Sequence, residues 1–195
     1  MNQAQQPQRK PKGDYRIFVG IFFSGEFNDE IQKVRQHYDE KTSQITAPHV
    51  TMAGTYWRNG EATPENEQEV IGTLQSLQDV LPPFTAALGG IRHFGRRVAF
   101  LDVEKTPELL FLREKLIEAL GEDKHGGTEK FAPHLTLAMR LKKPQVDKMV
   151  EELQETEWET KRWELLVNEL CLMQRGPNDP AWRTIGRFPL QGPPK

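Results

Sequence analysis

Residues 48–53 read PHVTMA, and residues 133–138 read PHLTLA. In both copies polar and apolar side chains alternate after the proline, which is typical of a β-strand with one buried face. Side chains alternate across a strand, so the histidine and the threonine of each copy point to the same face. Two strands that repeat this pair of polar side chains predict one site built from two matching halves.

The elements predicted around each copy occur in the same order: strand, helix, His-x-Thr strand, helix, strand. The first unit consists of a strand at Arg16–Phe23, a helix from Asn28 as N-cap to about Lys41, the strand at about Ile45–Thr55, a helix opened by Thr63 and Pro64, and a strand at Phe84–Ile91. The second consists of a strand at Val98–Val103, a helix opened by Thr106 and Pro107 and stopped by Gly121, the strand within 131–140, a helix opened by Pro144, and a long strand at Trp163–Met173. A last strand is predicted at Trp182–Leu190.

This order predicts an internal duplication of one α+β unit. We expect two pseudo-symmetric lobes whose antiparallel sheets pack sheet to sheet and line a central cleft. No linker rich in Pro and Gly separates the halves, and Arg92–Arg97 favours a tight hairpin, so we expect residues 15–190 to form a single bilobal domain. Residues 1–14 and 191–195 have the composition of a disordered arm and a disordered tail.

The overall composition excludes several classes of function. The chain has 195 residues, of which 36% are hydrophobic and 28% charged, as in ordinary soluble globular proteins. The formal net charge of −2 argues against a nonspecific, high-affinity binder of duplex DNA or RNA, although a local positive pocket would accept a small nucleotide. No apolar run approaches the length of a membrane span, and the N-terminus has no signal-peptide core. We expect a monomer without membrane contact.

Cysteine usage and ligand spacing bear on compartment and cofactors. Cys171 is the only cysteine, so neither a disulfide within the chain nor a Cys-x-x-Cys zinc framework can form. This fits a reducing cytoplasm. No carboxylate or cysteine recurs at ligand spacing beside His49 or His134, so we expect no metal site and no cofactor.

Two imidazoles and two hydroxyls suit a site that holds a phosphate. Threonine hydroxyls can donate to phosphate oxygens, and imidazole has an unperturbed pKa of ~6.5, so it can take or give a proton near neutral pH. His49 and His134 can therefore act as general base for an attacking water and general acid for a leaving oxygen, in either assignment. No metal is needed for this scheme, and the bond best suited to it is a strained cyclic phosphodiester such as a ribose 2′,3′-cyclic phosphate. The alternative is a structural duplication in which both histidines are satisfied in the core.

The two segments resemble the paired motifs of the 2H phosphoesterase superfamily. Residues 88–116, residues 131–138 and the stretch ELCLMQRGPNDPAWRTIGRFPL at 169–190 resemble its 2′-5′ RNA ligase / cyclic phosphodiesterase branch. The resemblance spans about residues 15–190. It implies a bilobal fold with a central cleft and hydrolysis of 2′,3′-cyclic phosphate ends or related cyclic nucleotide phosphodiesters. In some members it also implies reversible 2′-5′ joining of RNA ends.

The resemblance also implies partners and residue roles. The partners would be RNA ends or small cyclic nucleotides. Two histidines occupy the catalytic positions of the motifs and two threonines occupy the substrate-binding positions: His49, His134, Thr51 and Thr136.

Two further residues are candidates for substrate binding. Bacterial members often carry arginine directly after the second motif, where this chain has Met139 followed by Arg140. In a regular strand Arg140 shares the face of His134 and can bind phosphate while Met139 faces away, but a bulge would break this inference. Trp57 falls on the face of His49 by alternation and can stack a base, the alternative being a rim or core aromatic.

Two rival functions stay open at this point. One is a non-catalytic nucleotide-binding module, and the other is a hydrolase of cyclic oligonucleotide signals. A binding module does not require two proton carriers, so the pattern favours a hydrolase.

Overall fold

The computed structural model describes residues 16–56, 64–80, 82–95, 97–120, 130–176 and 178–193. The strands are β1 (Arg16–Phe22), β2 (His49–Tyr56), β3 (Phe84–Phe94), β4 (Val98–Val103), β5 (His134–Met139), β6 (Arg162–Val167), β7 (Glu169–Arg175) and β8 (Arg183–Pro189). The helices are α1 (Glu26–Ile45), α2 (Pro64–Leu77), α3 (Pro107–Leu120) and α4 (Lys143–Gln154). The predicted α+β class is confirmed. None of these four helices is long and apolar enough to cross a membrane.

All eight described strands belong to one antiparallel sheet, ordered β6-β3-β4-β5-β2-β1-β7-β8. The order is symmetric about the junction of β5 and β2, where the two His-x-Thr strands lie side by side. We expected the lobes to pack sheet to sheet, but in this sheet they join edge to edge. The reason is that Val50 of β2 pairs with Leu135 of β5, so each strand covers the free edge of the other half.

The prediction of one long strand at Trp163–Met173 is wrong, because this segment forms two strands that belong to opposite halves of the sheet. β6 pairs with β3, β7 pairs with β1, and Asn168 alone separates them. Two residues that flank a single residue lie at most about 7 Å apart. The two ends of the strand order must therefore approach each other at Asn168, so the sheet is strongly curled.

Each half of the sheet is covered by helices from both units. α1 and α4 pack on the half that contains β3, β4 and β5, whereas α3 packs on β2 and α2 packs on β8. α1 thus covers a strand of the second unit, and α3 covers a strand of the first. Side chains from these helices and strands form one apolar core, which includes Ile31, Leu112, Val50 and Leu135. This exchange of helices ties the two units together.

α1 differs from its prediction at its start and in its middle. It begins at Glu26 after Gly25, whose φ of 72° is readily adopted by glycine, so Asn28 lies inside the helix and is not its N-cap. At Asp39 the backbone is not helical (φ −151°, ψ 67°). The Asp39 carboxylate accepts hydrogen bonds from the backbone N–H groups of Thr42 (3.1 Å) and Met139 (2.9 Å). The kink therefore joins the last turns of α1 to the end of β5.

Candidate active site

A cleft of about 650 Å³ lies along the junction of β2 and β5, which is a size suited to a small ligand. Both histidines, both threonines and one further candidate from the sequence line it: His49, His134, Thr51, Thr136 and Arg140. In each copy the residue between histidine and threonine, Val50 or Leu135, is buried in the apolar core. The predicted alternation therefore holds over the motif itself.

The register between the two strands brings the motifs together. A single backbone pair among the described residues, Val50 with Leu135, joins β2 to β5. Continuing this antiparallel register by one residue on each side sets His49 across from Thr136 and Thr51 across from His134. Side chains at opposite positions lie on the same face with Cβ atoms about 5 Å apart. On this register, each histidine has the threonine of the other copy as its neighbour across the β2–β5 junction.

The two imidazoles are oriented in the same way. His49 Nδ1 lies 2.8 Å from the carbonyl oxygen of Ala47, and His134 Nδ1 lies 2.8 Å from that of Ala132. A carbonyl can only accept, so each Nδ1 carries the hydrogen and donates it. Each Nε2 then carries the lone pair of the neutral ring and the second N–H of the charged ring.

A β-bulge follows the threonine in each copy. The register shifts by one residue there, so Met52 of β2 and Leu137 of β5 are extra residues in the pairing with β1 and β4. A bulge breaks the alternation beyond it. The inference that Met139 faces away is therefore wrong, since both Met139 and Arg140 line the cleft. Arg140 reaches it from a left-handed turn (φ 60°) and not from a regular strand.

The aromatic neighbours of the two histidines differ. The His49 ring stacks on Phe18 and Phe22, with centroid separations of 4.8 and 5.2 Å. The His134 ring instead meets Phe94 and Phe100 edge to face, at 4.9 and 5.3 Å. Phe18 and Phe22 also stack on each other, with their centroids 6.3 Å apart, so the two rings do not enclose the His49 imidazole between them.

Gly20 explains how the two rings reach His49. It lies across from Thr51, whereas the corresponding neighbour of Thr136 is Phe100. A Cβ atom at Gly20 would come within 2.9 Å of the Phe18 ring and 3.3 Å of the Phe22 ring. The missing side chain therefore leaves the space that these two rings occupy.

Burial sets the protonation of His49. Desolvation lowers the pKa of His49 to about 4, its hydrogen bond to the Ala47 carbonyl opposes this change, and the charges of Arg35 and His134 lower the pKa further. At neutral pH the ring is therefore neutral, and its Nε2 is available to take a proton.

Two buried arginines extend from the helices to the cleft. Arg35 of α1 and Arg113 of α3 are 1% and 2% exposed, and both line it. Arg35 donates to the side-chain oxygen of Gln32 and to the carbonyl of Thr42, each at 3.2 Å, and Arg113 donates to the carbonyl of Met52. Burial lowers the pKa of Arg35 to about 10, so it is still charged at neutral pH. Both side chains can offset the charge of a bound phosphate.

The tryptophan in the cleft is not the predicted one. Trp57 lies outside the described residues. Trp182, just before β8, lines the cleft instead. Its ring meets Phe18 edge to face at 4.7 Å, and the Arg16 guanidinium lies 5.5 Å from its centroid. The chain thus brings an aromatic surface to the cleft from a segment far from both motifs.

Some of these residues carried a sequence signal and others did not. Phe18 and Phe22 fall on one face of β1 by alternation, opposite the core residues Val19 and Ile21. An arginine within an amphipathic helix is normally solvent-exposed, so nothing marked Arg35 as buried. Within the described residues, no three His, Cys, Asp or Glu side chains come close enough to hold a metal ion.

Comparison with known proteins places this geometry in a family. The model of the 2′-5′ RNA ligase superfamily matches residues 23–179. A Bacillus cytotoxicus protein named "Putative phosphoesterase" is 30% identical over 129 residues, which cover 65% of this chain and 70% of that protein.

Solved structures share the fold. TT0787 of Thermus thermophilus has a TM-score of 0.62 at 24% identity, covering 91% of this chain and 98% of that chain. Escherichia coli LigT, complexed with 3′-AMP, has a TM-score of 0.60 at 21% identity, covering 90% of this chain and 98% of that chain.

Proposed function

Because the chain belongs to the 2′-5′ RNA ligase superfamily of 2H phosphoesterases, we propose that it hydrolyses 2′,3′-cyclic phosphates or related cyclic and 2′-5′-linked nucleotide phosphodiesters. The family and the named relative both indicate a phosphoesterase. The complex of LigT with 3′-AMP supports small nucleotides or RNA ends as the substrate class. 2′-5′ joining of RNA ends would use the same two proton transfers, with a 5′-hydroxyl in place of water as the attacking group, and cleavage of that linkage would run them in reverse.

One observation carries this proposal: the register across Val50 and Leu135. It supports a phosphate held between two histidines, each beside the threonine of the other copy. The matching bonds from the alanine carbonyls support Nε2 as the reactive atom in both rings. Two proton carriers on one phosphate are what hydrolysis requires, whereas binding alone does not require them.

The proposed reaction uses the two histidines in different roles. His49 Nε2 takes a proton from a water molecule as its oxygen attacks phosphorus. The bond from phosphorus to one ribose oxygen breaks, and His134 Nε2 gives its proton to that oxygen, which leaves a phosphomonoester. The low pKa of His49 supports its role as the base, since the base must be neutral when the reaction starts. Both proton transfers are supplied by side chains, so this mechanism requires no metal.

Charge and hydroxyl groups would hold the phosphate during this step. Thr51 and Thr136 lie on the face of the histidines and can donate to its oxygens. Arg140 lines the same cleft and can neutralise part of its charge. These three residues are proposed to bind substrate and not to transfer protons.

The test is a turnover assay with EDTA present. The panel contains 2′,3′-cyclic mononucleotides, 2′-5′ oligonucleotides, ADP-ribose cyclic phosphate and cyclic dinucleotides. We expect release of a phosphomonoester from at least the 2′,3′-cyclic members, and none from the folded His49→Ala, His134→Ala double variant. Binding of mononucleotides without turnover of any compound would favour a binding module. Turnover of the cyclic dinucleotides alone would favour a hydrolase of cyclic signals.

A further inference from the structure

A second group of positive charges lies in the cleft. Arg16 and Arg175 are directly opposite each other on β1 and β7, and both line the cleft together with Arg140. Like charges at opposite positions of an antiparallel pair destabilise a sheet. After the larger effect of desolvation, the charges of Arg175 and Arg140 lower the pKa of Arg16. The fold therefore holds three guanidinium groups where they repel one another.

The partners of Arg16 and Arg175 are neutral. Arg175 Nε and Nη2 donate to the backbone carbonyls of Asp179 (3.1 Å) and Pro180 (3.4 Å). Arg16 lies over the ring of Trp182 at 5.5 Å. These contacts orient the two guanidinium groups but do not cancel their charge.

A nearby arginine shows the contrast. Arg187 on β8, in the same half of the sheet, pairs with the Glu169 carboxylate at 2.6 Å. Among the described residues, no carboxylate lies within ion-pair distance of Arg16 or Arg175. Oriented arginines without a carboxylate partner match the geometry and charge of a phosphate.

Arg16 and Arg175 lie on the β1 and β7 side of the histidines. On the side of β4, the cleft is lined by Phe94, whose ring stacks on that of Phe100 at 4.1 Å. The motif residues and Arg140 already account for one phosphate at the centre. Arg16 and Arg175 are therefore available to bind an anionic group elsewhere on the same substrate.

We propose that Arg16 and Arg175 form a second phosphate subsite, which binds a phosphate group of the nucleotide other than the one that reacts between the histidines. This inference rests on the proposed function, because it concerns another part of the same substrate. A 5′-phosphate or the next phosphodiester of an RNA end is a group of this class.

The experiment compares two ligands that do not react. Adenosine 3′-monophosphate carries one phosphate, and adenosine 3′,5′-bisphosphate carries a second. Isothermal titration calorimetry at low salt gives Kd for both ligands. The Kd of the monophosphate divided by the Kd of the bisphosphate measures the effect of the second phosphate. We expect a ratio of about ten in the wild-type protein, since a hydrogen bond to a charged group contributes about 1.5 kcal/mol or more. In Arg16→Gln and Arg175→Gln we expect the ratio to fall toward one.

Matched variants control for charge and folding. Arg175→Lys keeps the positive charge and should retain most of the ratio. Arg97→Gln removes an exposed arginine at the β3–β4 turn that does not line the cleft, and should leave the ratio unchanged. Arg175 also holds the carbonyls of residues 179 and 180, so thermal unfolding is measured for every variant. Arg16→Gln tests the subsite from a side chain that makes neither of these carbonyl contacts.

A wild-type ratio near one, or a ratio of ten that persists in both glutamine variants, would overturn the subsite. A cyclic-phosphate turnover assay on the same samples separates this result from the proposed function. Turnover together with a Kd ratio near one would contradict the subsite and leave the proposed function standing. A Kd ratio of about ten that falls in the glutamine variants, without turnover, would support the subsite and contradict the catalytic proposal. Binding of neither ligand contradicts both.

Discussion

The two histidine sites share their backbone geometry and differ in their surroundings. In both, an alanine carbonyl lies 2.8 Å from Nδ1 and a bulge follows the threonine. Across the neighbouring strand, His49 faces Phe22, whereas His134 faces Asp102, which is exposed. The His49 ring stacks on two phenylalanines, and the His134 ring meets its two phenylalanines edge to face.

On the proposed mechanism, the duplicated backbone sets which atoms exchange protons, and the neighbours of each ring set the direction of the transfer. Burial in apolar surroundings favours a neutral imidazole over a charged one. His49, with a pKa of about 4, is therefore suited to accept a proton. On the proposed mechanism, His134 is then the residue that donates a proton.

The largest effect should come from removing either histidine. His49→Ala and His134→Ala should each lower kcat by about 10²- to 10⁴-fold, because each loses one proton transfer. Initial rates on a 2′,3′-cyclic mononucleotide give kcat, and circular dichroism verifies the fold. An active His134→Ala protein would contradict the two-histidine mechanism.

A substrate with a good leaving group would separate the two roles. A p-nitrophenyl ester of a nucleotide releases nitrophenolate, which needs no proton. Loss of His134 should therefore cost much less on this ester than on a cyclic phosphate, whereas loss of His49 should cost the same on both. The ratio of kcat values on the two substrates, measured for each variant, tests this. If both variants showed the same ratio, the assignment of acid and base would be contradicted.

Threonine substitutions should have a smaller effect and treat the two copies alike. Thr51→Val and Thr136→Val keep the shape of the side chain and remove one donor to a phosphate oxygen. A hydrogen bond to a charged group contributes about 1.5–3 kcal/mol, so kcat/KM should fall by about ten- to a hundredfold in each. A loss confined to one variant would mean that the phosphate lies off the pseudo-twofold axis.

Arg35 should affect the pH profile more than the maximal rate. Its charge disfavours protonation of His49, so Arg35→Gln should raise the pKa of His49 and move the acid limb of kcat/KM to higher pH. The shift should be smaller than the effect of desolvation, which is the largest cause. Arg35→Lys keeps the charge and is the matched control. An unmoved acid limb in a folded Arg35→Gln protein would remove this role.

The last prediction concerns stability and not turnover. The pKa of His49 is about 4 in the folded chain, below the ~6.5 of an unfolded one. The unfolded chain therefore binds more protons between these values, and stability falls as pH decreases from about 6.5 toward 4. This contribution is at most about 3 kcal/mol. Urea unfolding of wild type and His49→Asn across this range should show a shallower pH dependence in the variant.

Local patterns predicted the elements near the motifs well, because apolar periodicity reports which face of each strand is buried. The break at Asn168 was not predicted, because the polar pair Asn168–Glu169 is only a short interruption of the apolar run and the break depends on where distant strands lie. The cleft position of Arg140 depends on a bulge, which leaves no periodic signal. The low pKa of His49 arises mainly from burial among residues of other elements, and a single strand does not contain that information.

The exchange of helices also constrains how the duplication arose. In a lone ancestral unit, the first helix would lack the strand that it covers here. Two copies would have had to lend each other that helix, as swapped dimers do. A homodimer of such a unit would carry its site on the twofold axis, where symmetry makes both histidines identical. In the single chain the two histidines have different neighbours, which is what allows the proposed base and acid to differ.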